Sequence, residues 1–250
     1  MNNVERQAEA VEGWLNPAEG RSLYKLAKEC TGRGVIVEIG SWKGKSTIWL
    51  GNGSKAGSRP KIHAIDPHTG SPQHRAALGE VWTFDEFKQN IKKAGIEDIV
   101  VPHVDFAESV AKTFDEPVEF IFIDGLHEYE GVKADFDSWY PKVINGGRMA
   151  FHDSTCWDGV LEVIKEGLFK SRHFRHIRFA SSLTYGEKVA QNTFWERVGN
   201  RIMLCAFLTH AYVDRTIWRI VHNYLDFPLA RALRSKIKGK PAGSPAKLAA

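Results

Sequence analysis

Cysteine is scarce: the 250 residues hold only three, Cys30, Cys156 and Cys205, far apart and without C-x-x-C spacing. That argues against a disulfide framework or a thiolate zinc site and suits thiols kept reduced in a cytoplasmic setting. Long apolar runs are also missing. No stretch of about 18 uninterrupted apolar residues occurs, so no membrane-spanning helix is expected. The opening Met1-Asn2-Asn3-Val4-Glu5-Arg6 has no apolar h-region, so no secretory leader is expected. There are no internal repeats, and the G-x-G-x-x-G spacing is absent, which counts against a dehydrogenase. What is present, 43% hydrophobic and 26% charged residues, is the composition of an ordinary globular domain.

Negative charge is scarce in one region. Residues 190–240 carry nine Lys/Arg against three Asp/Glu, and the rest of the chain carries 25 against 27. The net charge of +4 therefore belongs to the C-terminal region, and an anionic partner is expected there rather than elsewhere.

Short, continuously apolar segments alternate with helical patterns. Strands are expected at 35–39, 62–65, 99–104, 118–123 and 147–151, with helices at 46–50, 84–94, 107–113 and 129–140. Strands of this kind are covered on both faces, and the alternation implies βαβ units around a parallel sheet. A helix at 160–169 follows, then alternating segments at 174–179 and 183–189 that suit an antiparallel hairpin at the sheet edge. The expected fold is α/β: a Rossmann-like, doubly wound, mostly parallel seven-stranded sheet with a final antiparallel strand and helical extensions at both ends. Its parts are N-terminal helices (1–31), the nucleotide-type domain (32–190), a basic amphipathic helical extension (191–238) and a disordered tail (239–250).

The segment Val35-Ile36-Val37-Glu38-Ile39-Gly40-Ser41-Trp42-Lys43-Gly44 is a strand, a glycine loop and a helix start. The glycines admit a close ligand, and the helix start offers free N–H groups. Glu38 would repel a pyrophosphate but suits a cationic, amino-bearing ligand. Asp66, at the end of the second strand, is placed to hold ribose hydroxyls. Asp105 and Phe106, after the third, suit an adenine amino group and ring, although an N-cap explains an Asp there equally well. Strands four and five end in Ile123-Asp124-Gly125-Leu126-His127 and Phe151-His152-Asp153. In an open α/β sheet, ligands lie at the carboxyl ends of the strands, so Asp124, His127, His152 and Asp153 converge on the same face. Two carboxylates suit a hard divalent cation such as Mg²⁺, and a histidine ligand would be more natural for Mn²⁺. The long connection at 69–81 reads as a lid on the acceptor side. Trp82 and Phe84 are expected to start a helix and pack in the core.

The E-x-G-x-x-x-G loop resembles motif I of the class I S-adenosylmethionine (AdoMet) methyltransferases. Glu38-Ile39-Gly40-Ser41, Ile123-Asp124-Gly125-x-His127-x-Tyr129 and His152-Asp153, with the lead-in Gly13-Trp14-Leu15 and Glu19-Gly20, resemble the sugar and small-molecule O-methyltransferase group. That group includes macrolide-sugar methyltransferases and cephalosporin-hydroxylase-like proteins. The resemblance implies AdoMet held by Glu38, Gly40, Ser41, Gly44, Asp66, Asp105, Phe106 and Asp124. It also implies Mg²⁺ at Asp124 and the pair after strand five, with His127 as general base and Asp124 beside it in catalysis. His152 departs from the pattern, standing where an acid is usual, which leaves metal identity and metal dependence open.

The implied activity is O-methylation of a sugar hydroxyl on a glycoside, glycolipid or natural product. Two alternatives stay open: a metal-independent methyltransferase, and a non-catalytic membrane- or partner-binding protein. For the basic extension, one reading packs it on the core or a second subunit of a homo-oligomer. A second rests it on anionic lipid, which would put the protein at the inner face of the membrane. Nucleic-acid binding is disfavoured because the glycine-loop domain has no basic face.

Overall fold

The computed structural model describes residues 2–71, 75 and 79–223. Two helices lead in, α1 (Asn2–Glu9) and α2 (Pro17–Lys28). Asn16 starts α2 with a capping box, its side chain accepting the Ala18 and Glu19 N–H groups while Glu19 takes the Asn16 N–H. There follow β1 (Val35–Ile39), α3 (Lys45–Ala56), β2 (Ile62–Ile65), α4 (Phe84–Lys93), β3 (Val100–His103), α5 (Ala107–Thr113), β4 (Val118–Ile123) and α6 (Tyr129–Trp139). The chain continues through β5 (Val143–Phe151), α7 (Asp158–Ile164), a π-turn (Lys165–Phe169), β6 (Phe174–Ala180), β7 (Leu183–Lys188) and α8 (Phe194–Asn223).

The seven strands form one sheet in the order β3-β2-β1-β4-β5-β7-β6. β1 to β5 are parallel, and β7 runs antiparallel between β5 and β6. Side chains alternate across the strands, so the sheet buries two faces at once. Val37, Ile39, Ile121, Ile123, Met149 and Phe151 face α5 to α8. Ile36, Phe120, Phe122 and Ala150 face α2, α3 and α4, where Leu23, Trp49 and Phe87 close the layer.

Several bounds differ from the sequence expectation, each for a packing reason. The helix expected at 46–50 runs on to Ala56 because Gly51 and Gly53 are contact points rather than breaks. A Cβ at Gly51 would meet Ile96 at 2.6 Å, and one at Gly53 would meet the Tyr24 carbonyl at 2.3 Å. The fifth strand starts at Val143, four residues before the expected 147, because a register irregularity against β4 absorbs Gly146 and Gly147. Trp82, expected in the core, is 54% exposed and donates its indole N–H to Asp85. Phe84 does pack against the core. Part of the expected lid (69–81) and all of the expected tail (239–250) lie outside the described residues.

Candidate active site

The order β3-β2-β1-β4-β5 reverses direction between β1 and β4, the switch point at which open α/β sheets bind ligands. Backbone hydrogen bonds carry the row of strand ends across this point. Gly40 N–H donates to Ile65, Asp124 N–H to Ile39 and His152 N–H to Ile123. Gly40, Asp124 and His152 therefore stand side by side.

Glu38 is fully buried at the end of β1, and Thr47 of α3 donates to its Oε2 at 2.6 Å. Its Oε1 is buried without a hydrogen-bond partner. Burial pushes this carboxyl up to about 7, against bonds from Ser46 and Thr47, and the nearby charges of Asp124 and Asp66 add to the rise. Such an acid suits a cationic ligand group. Gly40 and Gly44 hold φ of 85° and 92°, the left-handed region that favours glycine. Gly44 leads α3 with no side-chain cap, which leaves helix N–H groups for a ligand. Ser41 Oγ is buried and unpartnered in the same loop. Asp66 ties the loop to β2, accepting the Trp42 N–H at 2.7 Å and the His68 N–H at 2.6 Å.

The second group centres on His152, which is 3% exposed. Its Nδ1 lies 3.1 Å from Asp124 Oδ1 and its Nε2 3.2 Å from Glu19 Oε2. Burial alone would lower its pKa, but Asp124, Asp153 and Glu19 reverse that and raise it well above the usual histidine value. With a carboxylate at each ring nitrogen, the ring is an imidazolium donating both ways. Glu19 is 1% exposed and also accepts the Ser182 N–H at 2.9 Å and hydroxyl at 2.6 Å. Burial opposes its ionisation, yet His152 and these donors hold it down at about 2. Burial raises the carboxyl of Asp124, with His152 pulling the other way. Asp153 has φ of 55°, and its Oδ2 lies 3.3 Å from His127 Nε2. The His127 ring stacks on Trp157, with centroids 4.7 Å apart at 11°.

Among the described residues, Asp124, His152 and Asp153 offer metal-type ligand atoms within 4.8 Å of one another. Asp105 and Phe106 follow β3, where the row of strand ends continues through the Asp66 N–H to the His103 carbonyl. Both are exposed, Phe106 at 66%, and Asp105 accepts its neighbour's backbone N–H. His63 and His103 stack on each other near Phe114, and His68 is buried on Thr83. His74 lies outside the described residues. Sequence reasoning missed two members of the site. Trp157 carried no motif signal. Glu19 was noticed only as part of the lead-in, and nothing local pointed across 133 residues to His152.

Residues 37–154 match the model of a family described as a methyltransferase domain. The uncharacterized protein y4gI of Sinorhizobium fredii is 28% identical over 162 residues, 62% of this chain but only 18% of that protein. The chain thus spans a small part of that relative's length. Among solved structures, the O-methyltransferase NovP aligns with a TM-score of 0.59 at 17% identity, covering 69% of this chain and 80% of that one. A Corynebacterium glutamicum protein gives 0.57 at 18% identity, with 77% and 92% covered. The O-methyltransferase TomG of Streptomyces achromogenes, solved with SAM, gives 0.54 at 15% identity, with 76% and 89% covered. At these identities the structural likeness is one of fold.

Proposed function

We propose that this chain is an AdoMet-dependent O-methyltransferase of class I acting on a sugar hydroxyl, a reading supported by the match of residues 37–154 to a methyltransferase-domain family. The observation that carries this reading is a single row of strand ends. A buried acid with an unpartnered oxygen (Glu38) stands in the glycine loop at one end, and a histidine–carboxylate pair (His127 and Asp153) stands at the other. Glu38 and the α3 amides would hold the amino-acid end of the cofactor. Asp66 would hold the ribose, and Asp105 and Phe106 the adenine. In the transfer, the acceptor oxygen forms a bond to the methyl carbon as the sulfonium–carbon bond breaks, and the hydroxyl proton leaves to His127. Asp153 beside Nε2 favours a proton there, leaving Nδ1 as the base. The domain mainly aligns the two reactants.

The carboxylates of Asp124 and Asp153 fit a hard divalent cation, Mg²⁺ before Mn²⁺. When bound, such an ion lowers the pKa of a hydroxyl ligand. His152 fits the ion less well, because both ring nitrogens already face carboxylates. That observation favours a second reading, in which the reaction needs no metal and the His152 imidazolium offsets the acid cluster. Release of S-adenosylhomocysteine over a panel of glycosides, with EDTA or with added Mg²⁺, tests both. Acceptor-dependent release supports the proposal, and its absence over the whole panel contradicts the sugar assignment. Full activity in EDTA selects the metal-independent form.

A further inference from the structure

The helix α8 has two apolar faces, and the body covers one. Leu204, Phe207 and Ala211 are buried against the core. On the opposite side, Trp195, Ile202, Tyr212, Val213, Ile217 and Ile220 are between 45% and 76% exposed. At 3.6 residues per turn they fall within an arc of about 140° that contains no Asp, Glu, Lys or Arg from Phe194 to Ile220. Four arginines lie on one side of that arc: Arg197 and Arg215 bond back to the body, to Asn192 and to Thr155 and Asp158, and Arg201 and Arg219 form the open flank. Arg201 and Arg219 are exposed and form no ion pair with a described residue. The helix's two acids turn toward the body, Glu196 to Arg175 and Asp214 to Thr155.

We infer that this face docks on an anionic lipid surface. Among the described residues no helix is long and apolar enough to cross a membrane, so the helix would lie on the surface rather than span it. Its apolar arc would enter the acyl boundary while the arginine flank meets the headgroups. Charge complementarity favours lipid over a second copy of the chain. A copy would have to bring acids to the arginine flank, and the acids of α8 are already engaged on the other side. The sequence beyond the described helix adds five Lys/Arg and one Asp between residues 224 and 240.

The docking does not depend on the chemistry proposed above, but one consequence does. Asp214 and Arg215 bond to Thr155, and Arg215 also pairs with Asp158. The lipid-facing helix is therefore fastened to the loop that follows His152 and Asp153. If the site methylates sugars, this arrangement favours acceptors carried by lipid.

The test is co-sedimentation of the full chain with phosphatidylcholine vesicles, either pure or with about one third phosphatidylglycerol. Binding should be at least tenfold stronger to the anionic vesicles and should fall as salt rises. Arg201→Glu with Arg219→Glu, and separately Ile202→Asp with Ile220→Asp, should each cut it at least fivefold. All four positions are exposed, and circular dichroism checks that the variants fold. Equal binding to both vesicle types, or variants that bind like the parent, would overturn the inference. So would a chain that ignores vesicles and forms a dimer broken by the isoleucine pair. AdoMet binding, measured alongside, reports on the methyltransferase reading independently.

Discussion

Glu19 and Glu38 are buried to nearly the same degree, yet one is held at about 2 and the other rises to about 7. The difference is supply of donors. Glu19 meets an imidazolium, a hydroxyl and backbone amides, whereas Glu38 has an oxygen with no partner. The signs of the pH effects are therefore opposite. Glu19 stabilises the fold above its ordinary carboxylate value, and that contribution is lost as pH falls toward 2. For Glu38 the folded form holds its proton longer, so stability falls as pH rises through the ordinary carboxylate range up to 7. A bound ammonium would remove that penalty. AdoMet affinity should thus rise up to about tenfold between pH 6 and 7.5, with proton release at the lower pH. Calorimetry in buffers of different ionisation enthalpy reads both, and Glu38→Gln should flatten the profile. Glu19→Gln leaves a buried imidazolium with one fewer counter-charge, so it should cost about 3 kcal/mol in urea unfolding. A change under about 0.5 kcal/mol, the range of neutral surface changes, would contradict the buried pairing. His127→Ala should slow turnover about 100-fold or more while AdoMet affinity stays within about twofold. A variant that turns over normally would remove His127 as the base.

At the scale of elements, α2 and α3 pack unusually close. A Cβ at Gly20 would sit 2.2 Å from the Trp49 indole, and Trp49 is fully buried. Helix propensity alone favours alanine over glycine by about 1 kcal/mol. Overpacking a core costs about 1–3 kcal/mol, and here the indole has nowhere to move. Gly20→Ala should therefore destabilise the domain, seen as a lower Tm. A higher Tm would mean that the two helices part easily. The strands were legible in the sequence because each is a short apolar run ending in a turn signal. The ends of α3 and β5 were not, because a glycine that serves a close contact looks the same as one that ends an element. Gly51 and Gly53 are of the first kind, and Gly146 holds a left-handed backbone turn (φ 83°) inside β5. The two faces of α8 were hidden for a related reason: its apolar residues are too many for one stripe, and only the packed body shows which of them are left over.

At the scale of the whole molecule, the alternation of strands and helices fixes which loops meet, and so the sequence alone puts Glu38, Gly40, Asp66, Asp124, His127, His152 and Asp153 at one edge of the sheet. The sheet itself was legible, including the antiparallel hairpin at its edge. Asp105 and Phe106 follow β3 and stay exposed. The N-terminal segment was read as an appendage, but through Glu19 it reaches the centre of the site. Such a contact between distant parts of the chain depends on packing, not on local pattern. Whether a buried carboxylate in the glycine loop holds the cofactor is read by calorimetric titration of AdoMet into the parent chain and into Glu38→Ala. The parent should show one site per chain with micromolar affinity, weakened at least tenfold in the variant, about 1.4 kcal/mol or more. No binding by the parent, or equal binding by the variant, would contradict it.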